Sequence, residues 1–174
     1  MFIPLNDVKS NMVKSFDEQL WEAENLLANG EFDKASKVYK KLLKEQPNDP
    51  KVHFGMAESI VLNPQGDIEK AIEHYSTAVK GDPENPMYHA LFGKFLCDIG
   101  RFNDAEREYR AAAQTDTENM SDYMMELASS YIRIAPVVME KFMNAETELI
   151  IKRKALGWAL EALEISPEDA KKIL

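Results

Sequence analysis

Three stretches of the chain carry the same residues in the same register: GEFDKASKVYKKLLKEQP from Gly30, GDIEKAIEHYSTAVKGDP from Gly66 and GRFNDAEREYRAAAQTDT from Gly100. Each has glycine, then Phe or Ile two residues on, alanine five on and tyrosine nine on, and the copies start 36 and 34 residues apart. A fixed period of this length marks stacked supersecondary units, none of which can bury its apolar face alone. The chain is therefore read as an array of like units rather than as one globule.

The residue types fit pairs of helices. Glycine takes the left-handed conformation that ends a helix without Cβ strain, so Gly30, Gly66 and Gly100 are each expected to close one. Ala35, Ala71 and Ala105 then open second helices with a side chain small enough for close backbone approach, and Tyr39, Tyr75 and Tyr109 lie one turn further along the same face. First helices precede each glycine, marked by Glu22-Ala23 with Leu26, Met56-Ala57 with Ile60, and Phe92-Gly93 with Leu96. Asp49-Pro50 and Asn85-Pro86 read as a cap followed by proline at the first helical position. Ser15 with Glu18 reads as a capping box. These signals predict helices near 16–29, 33–45, 50–62, 68–80, 86–99 and 103–115. Two extra residues around Asn63-Pro64-Gln65 lengthen the turn of the second unit.

The pattern resembles the tetratricopeptide repeat, a unit of two antiparallel helices and about 34 residues. Pro47 and Pro83 fall where that family places a proline after its second helix, and the third copy has Thr117 instead. The resemblance implies an all-α, right-handed α-solenoid. Its expected divisions are an N-terminal cap segment over 1–15 and repeats over 16–49, 50–85 and 86–119. A divergent fourth unit follows over 120–167, and a short capping helix over 168–174.

The fourth unit is stretched. Leu127, Ala128 and Tyr131 repeat the first-helix marks, and Ala155, Ala159, Ala162, Leu163 and Pro167 repeat those of a second helix. From Ala105 to Ala155 the interval is 50 residues, about sixteen more than the regular period. The surplus, APVVMEKFMNAETELIIKRK, has helix-forming composition, and two readings of it are open. One is a single long helix from Pro136 to Ile165. The other breaks at Asn144, which would cap a new helix with Glu146 and Glu148 in its first turn.

The resemblance also implies a concave face lined by first helices, on which a peptide or helix is held. The family's groove positions fall on Leu20, Glu24, Leu27, Phe54, Glu58, Val61, Met87, Ala90, Leu91 and Lys94. An apolar groove with mainly acidic polar groups suits an amphipathic helix or extended segment bringing apolar anchors and some Lys or Arg. Family members that grip the acidic tails of heat-shock chaperones use a clamp of basic and amide side chains. Leu20, Glu24, Gly55, Met87 and Leu91 occupy the matching positions and cannot donate to a carboxylate, which argues against that partner. The alternative for Leu20, Phe54 and Leu91 is packing beneath the chain's own ends, and Trp21 reads as readily that way as a partner anchor. Met120, Met124, Met125, Met139 and Met143 read as core filling before an adaptable surface.

Val137, Val138, Phe142, Leu149, Ile150 and Ile151 are too many apolar groups to leave in water, so they are expected to meet either another part of this chain or another chain. They are a second candidate interface and leave a homo-oligomer open.

Composition narrows the function classes. A net charge of −9 disfavours attraction to phosphate backbones or anionic lipid. Each repeat contributes −2 or −3, so the charge is a distributed surface rather than a tract. The single cysteine, Cys97, can form neither an intrachain disulfide nor a cysteine zinc cluster, and a reducing cytoplasmic setting is expected. No apolar run reaches membrane-spanning length, and MFIPLNDVKSNMVK lacks the build of a secretory signal. His53 and His89, each four residues after a cap, read as packing groups, and His74 as surface or interhelix. Lys152-Arg153-Lys154 reads as a solvated helix face. No phosphate-binding loop, paired-histidine zinc motif or nucleophile elbow is found. The expectation is a non-catalytic, cofactor-free adaptor, scaffold or assembly factor.

Overall fold

The computed structural model describes residues 14–173. The segment expected to cap the first unit, including Ile3, Leu5, Val8 and Met12, lies outside them. Among the described residues the elements are α1 (Phe16–Ala28), α2 (Phe32–Glu45), α3 (Pro50–Val61), α4 (Ile68–Gly81), α5 (Pro86–Asp98), α6 (Phe102–Thr115), α7 (Met120–Val138), α8 (Ala145–Ala162) and α9 (Pro167–Ile173). Single 3-10 turns at Thr117–Asn119 and Glu140–Phe142 precede α7 and α8.

Side-chain caps begin several of these helices. The Ser15 hydroxyl accepts from the Glu18 N–H at 3.2 Å while the Glu18 carboxylate accepts from the Ser15 N–H at 2.8 Å, closing a capping box. Asp49 and Asn85 accept from the N–H groups of Val52 and Tyr88, each ahead of a proline at the helix start. Gly30 and Gly100 end their helices at φ 76° and 79°. Gly66 does not adopt that conformation, contrary to expectation. The two inserted residues let the chain turn back under α3, and a Cβ on Gly66 would stand 1.8 Å from the Ile60 carbonyl oxygen. Glycine is needed there for room, not for a positive φ.

Consecutive helices pair, α1 with α2, α3 with α4, α5 with α6 and α7 with α8, and each second helix also packs on the following first helix. First helices touch directly at α1 with α3 and α5 with α7. Ala35, Ala71 and Ala105, and the tyrosines one turn after them, are all buried in this interior. Tyr39 reaches into the next pair, where a Cβ on Gly55 would come within 2.4 Å of its ring. Burying such rings against backbone, where small residues admit them, is what joins one pair to the next.

The surplus of the fourth unit resolves into a break at Asn144, whose side chain accepts from the Thr147 N–H at 2.9 Å. Pro136 does not start a helix; it lies within α7. Ala155 is the eleventh residue of α8, whereas Ala35, Ala71 and Ala105 are the fourth of theirs, so α8 starts about two turns early. Helix α7 runs ten residues past Ala128, against five past Ala23 or Gly93 in the matching helices. The extra residues thus build an overhanging end on the last helix pair. Helix α9 buries Ala170 but leaves Leu156 and Leu163 exposed, so it covers only part of the final apolar edge.

Candidate functional site

Outward positions of α1, α3 and α5 meet at a pocket of about 150 Å³ lined by Glu24, Leu27, Tyr39, Lys51, Phe54, Gly55, Met87 and Tyr88. Four groove residues read from the sequence, Glu24, Leu27, Phe54 and Met87, are brought together there. Met87 is 50% exposed, Leu27 and Phe54 are partly buried, and Glu24 is exposed. Val61, Ala90 and Leu91 are partly buried and Lys94 is exposed. Leu20 is buried in the continuous core and offers a partner little surface.

The pocket is built on aromatic packing. Phe54 stacks on Tyr88 with ring centroids 4.6 Å apart and meets Tyr75 edge-on at 5.9 Å. Tyr75 in turn stacks on Phe92 at 5.2 Å. Phe54 therefore both lines the pocket and braces α3 against α5. The Tyr75 hydroxyl donates to Glu58, whose carboxyl is pushed above its usual range by burial, with that hydrogen bond and Lys94 acting the other way. Lys51 joins the lining beside Glu24, so this pocket carries one charge of each sign. The sequence reading stopped the groove at the third unit. On α7, Met125 and Ile132 are exposed by 40% and 47% at the positions matching Phe54 and Val61, three residues before and four after the Ala128 that corresponds to Ala57.

A second apolar surface lies on the overhang. Val137, Val138, Phe142, Leu149 and Ile150 are exposed by 73%, 51%, 71%, 48% and 56%. Ile151, grouped with them from sequence, is instead a core residue at 2% exposure, because it falls on the face of α8 that also buries Ala155, Trp158 and Ala162. Trp21 is exposed. Met124 is core, Met120, Met139 and Met143 pack against it, and Met125 is exposed.

The three histidines sit between helices. His53 Nδ1 lies 2.8 Å from His74 Nδ1, and His89 Nδ1 lies 2.7 Å from the Glu108 carboxylate. Of the basic run, Lys152 pairs with Glu148, while Lys154 turns inward over the Tyr131 and Trp158 rings and toward Glu106. Trp158 donates its indole N–H to Glu106 at 3.1 Å, and Arg110 bridges Glu106 and Glu161, tying the fourth pair to the third. A larger opening of about 520 Å³ between α2 and α4 mixes Lys37, Lys40 and Lys70 with Asp33 and Asp67. Among the described residues no group of three or more His, Cys, Asp or Glu is placed to hold a metal ion, and no helix is long and apolar enough to cross a membrane.

Stacked helix pairs with a side-chain-lined face define an all-α solenoid of the interaction-module class. Tetratricopeptide-repeat family models match residues 16–59 and 64–119, and the chain belongs to the tetratricopeptide-repeat family. No curated protein sequence matches it. Among solved structures, MamA of AMB-1 aligns at 18% identity and TM-score 0.63 over 94% of this chain and 81% of that one. MamA of MSR-1 aligns at 17% identity and TM-score 0.59, covering 90% and 82%. A thermophilic tetratricopeptide-repeat protein of Thermus thermophilus aligns at 19% and 0.60, covering 91% and 77%. These likenesses speak for the fold.

Proposed function

We propose that this chain is a non-catalytic adaptor or assembly factor that receives a partner's amphipathic helix or extended segment along the outward face of α1, α3, α5 and α7. The observation that carries the reading is the pocket where Leu27, Phe54 and Met87 converge between charged residues of both signs. It offers a seat for one apolar anchor, with Glu24 and Glu58 available to a neighbouring Lys or Arg. The acid at Glu24 and the apolar side chains at Met87 and Leu91 argue against an acidic chaperone tail as the ligand. The single thiol, Cys97, is fully buried, which suits a cytoplasmic setting without requiring it.

The test is selection from a library of helical peptides, followed by titration of the best binder. Met87→Arg and Leu91→Arg are expected to weaken binding at least about tenfold with helix content unchanged. Undiminished binding by both would end the groove reading.

A second reading is favoured by the exposed overhang. Apolar side chains on the last helix pair of a solenoid support self-association through the fourth unit, with Val137, Val138, Phe142, Leu149 and Ile150 as its surface.

A further inference from the structure

We propose that two copies of this chain pair through the outward face of α8, antiparallel about a two-fold axis between Leu149 and Ile150, setting Glu146 of each against Arg153 of the other. The proposal rests on the self-association reading above and specifies its register.

The helix itself defines the face. Ile151, Ala155, Trp158 and Ala162 are the buried residues of α8. At 3.6 residues per turn the opposite side carries Glu146, Leu149, Ile150, Arg153 and Gly157. All five are exposed, and Glu146, Leu149 and Ile150 lie on the two turns that α8 adds at its start, with Arg153 on the turn that follows. Phe142, exposed by 71%, sits in the turn just before this face and is tied to it by the Thr147 hydroxyl, which donates to the Phe142 carbonyl at 2.9 Å.

The order of residues along this face is its own complement. An antiparallel pair centred between Leu149 and Ile150 brings each of those two against the other. One turn outward it brings the acid Glu146 against the base Arg153. One turn further out lies Gly157, at the end where the partner's exposed Phe142 stands in the 3-10 turn ahead of α8. A two-fold interface requires that kind of match, because the same patch must serve both subunits. The charges fit the assignment: Glu148 and Lys152, off this face, pair within α8, whereas Glu146 and Arg153 make no ion pair among the described residues. Gly157 fits it too. A Cβ there would meet nothing within 4 Å, so nothing within the chain calls for a glycine, and a small residue at a helix crossing makes room for a neighbouring ring. Sliding the register by about one turn sets Glu146 or Arg153 of one copy against Leu149 or Ile150 of the other. A partner of different sequence would leave this symmetry without a cause.

The experiment is sedimentation equilibrium of the full chain across a wide concentration range. The wild type is expected to dimerise. Glu146→Arg and Arg153→Glu should each raise the dissociation constant at least about tenfold, and the chain carrying both should return to within about threefold of wild type. Gly157→Leu, which has open space in the single chain, should raise it at least about tenfold without lowering the melting temperature at concentrations where both chains are monomeric. A wild type that stays monomeric throughout overturns both self-association and this register. A dimer indifferent to all these changes, or a double charge exchange that fails to restore pairing, overturns the register alone and leaves self-association through another surface.

Discussion

His53 faces His74 Nδ1 to Nδ1 at 2.8 Å, in the register where the next repeat sets His89 against Glu108 at 2.7 Å. In both repeats the Nε2–H of the first-helix histidine donates to the carbonyl of the proline ending the preceding unit, at 2.9 Å to Pro47 and 3.0 Å to Pro83. That bond places the proton on Nε2 and leaves Nδ1 to be decided by what faces it. For His89 the neighbour is a carboxylate, which favours a proton on Nδ1 as well and so raises the ring's affinity for its second proton. For His53 the neighbour is a second imidazole, which offers no anionic acceptor of the kind Glu108 provides. The two joints, His53 with His74 and His89 with Glu108, therefore respond oppositely to acid.

Acid should strengthen one of these joints and loosen the other. Glu108 holds His89 above the ordinary histidine value, so its contribution is complete below about 6.5 and is lost as pH rises through the folded value. His74 is lowered to about 4, first by burial, then by His53 and by Lys40. The unfolded chain takes up that proton below about 6.5 and the folded chain does not, so stability is lost as pH falls from there toward about 4. Solvent screening of the half-buried ring reduces the loss to about 1–2 kcal/mol. Urea unfolding at a series of pH values, comparing wild type with His74→Gln and His89→Gln, checks it. The acid-side slope should flatten in the first variant, and the gain from pH 8 to pH 6 should vanish in the second.

Glycine substitutions should separate room from conformation. Gly66→Ala forces a methyl onto the Ile60 carbonyl, a backbone atom that cannot rotate away, and should cost at least about 2 kcal/mol. Gly157→Ala, inside a helix with space around it, should instead stabilise by about 0.5–1 kcal/mol. Melting temperatures of the two variants at low protein concentration should move in opposite directions.

The regular helix pairs were legible because their marks are local: a cap, a small residue and a tyrosine at fixed spacing, each forced by contacts the repeat makes every time. Gly66 defeated the same reasoning, since an insertion of two residues changes what its glycine is for without changing its identity. The fourth unit could be seen to be long, but periodicity does not tell a continuous helix from two joined at Asn144. That choice is made by a hydrogen bond from Thr147. The groove was legible in α1, α3 and α5, while Ile132 carries no mark that singles it out and Met125 reads as core filling among its neighbouring methionines although it is exposed. Ile151 was grouped with its exposed neighbours because adjacent residues in a chain differ by 100° on a helix, and only the partner helix reveals which side is buried.

Cys97 should be chemically silent in the folded chain. It is fully buried, and burial pushes its thiol up to about 12, with Asp98 adding to the effect. Thiol-reactive reagents at pH 8 should modify it only after unfolding, so the labelling rate in rising urea should follow the loss of helix rather than precede it. Rapid labelling without denaturant would show that α5 opens locally.

The three repeat tyrosines should respond unequally to losing their hydroxyl. Tyr39 and Tyr109 bury theirs with no hydrogen-bond partner among the described residues, whereas Tyr75 donates its own to Glu58. A buried polar group without a partner has left water for nothing, so Tyr39→Phe and Tyr109→Phe should be neutral or stabilise by up to about 1 kcal/mol. Tyr75→Phe removes the donor from a carboxylate that burial already holds above its usual range, and should cost about 1–2 kcal/mol. Because Glu58 lines the proposed groove, the same variant should also weaken a basic partner segment less than Glu58→Gln does, since it disturbs the position of the charge and leaves the charge in place. Urea midpoints together with peptide titration of these four variants check both halves. Equal destabilisation by all three Tyr→Phe changes would show that the tyrosines are held by a common feature and not by their separate hydrogen-bond states.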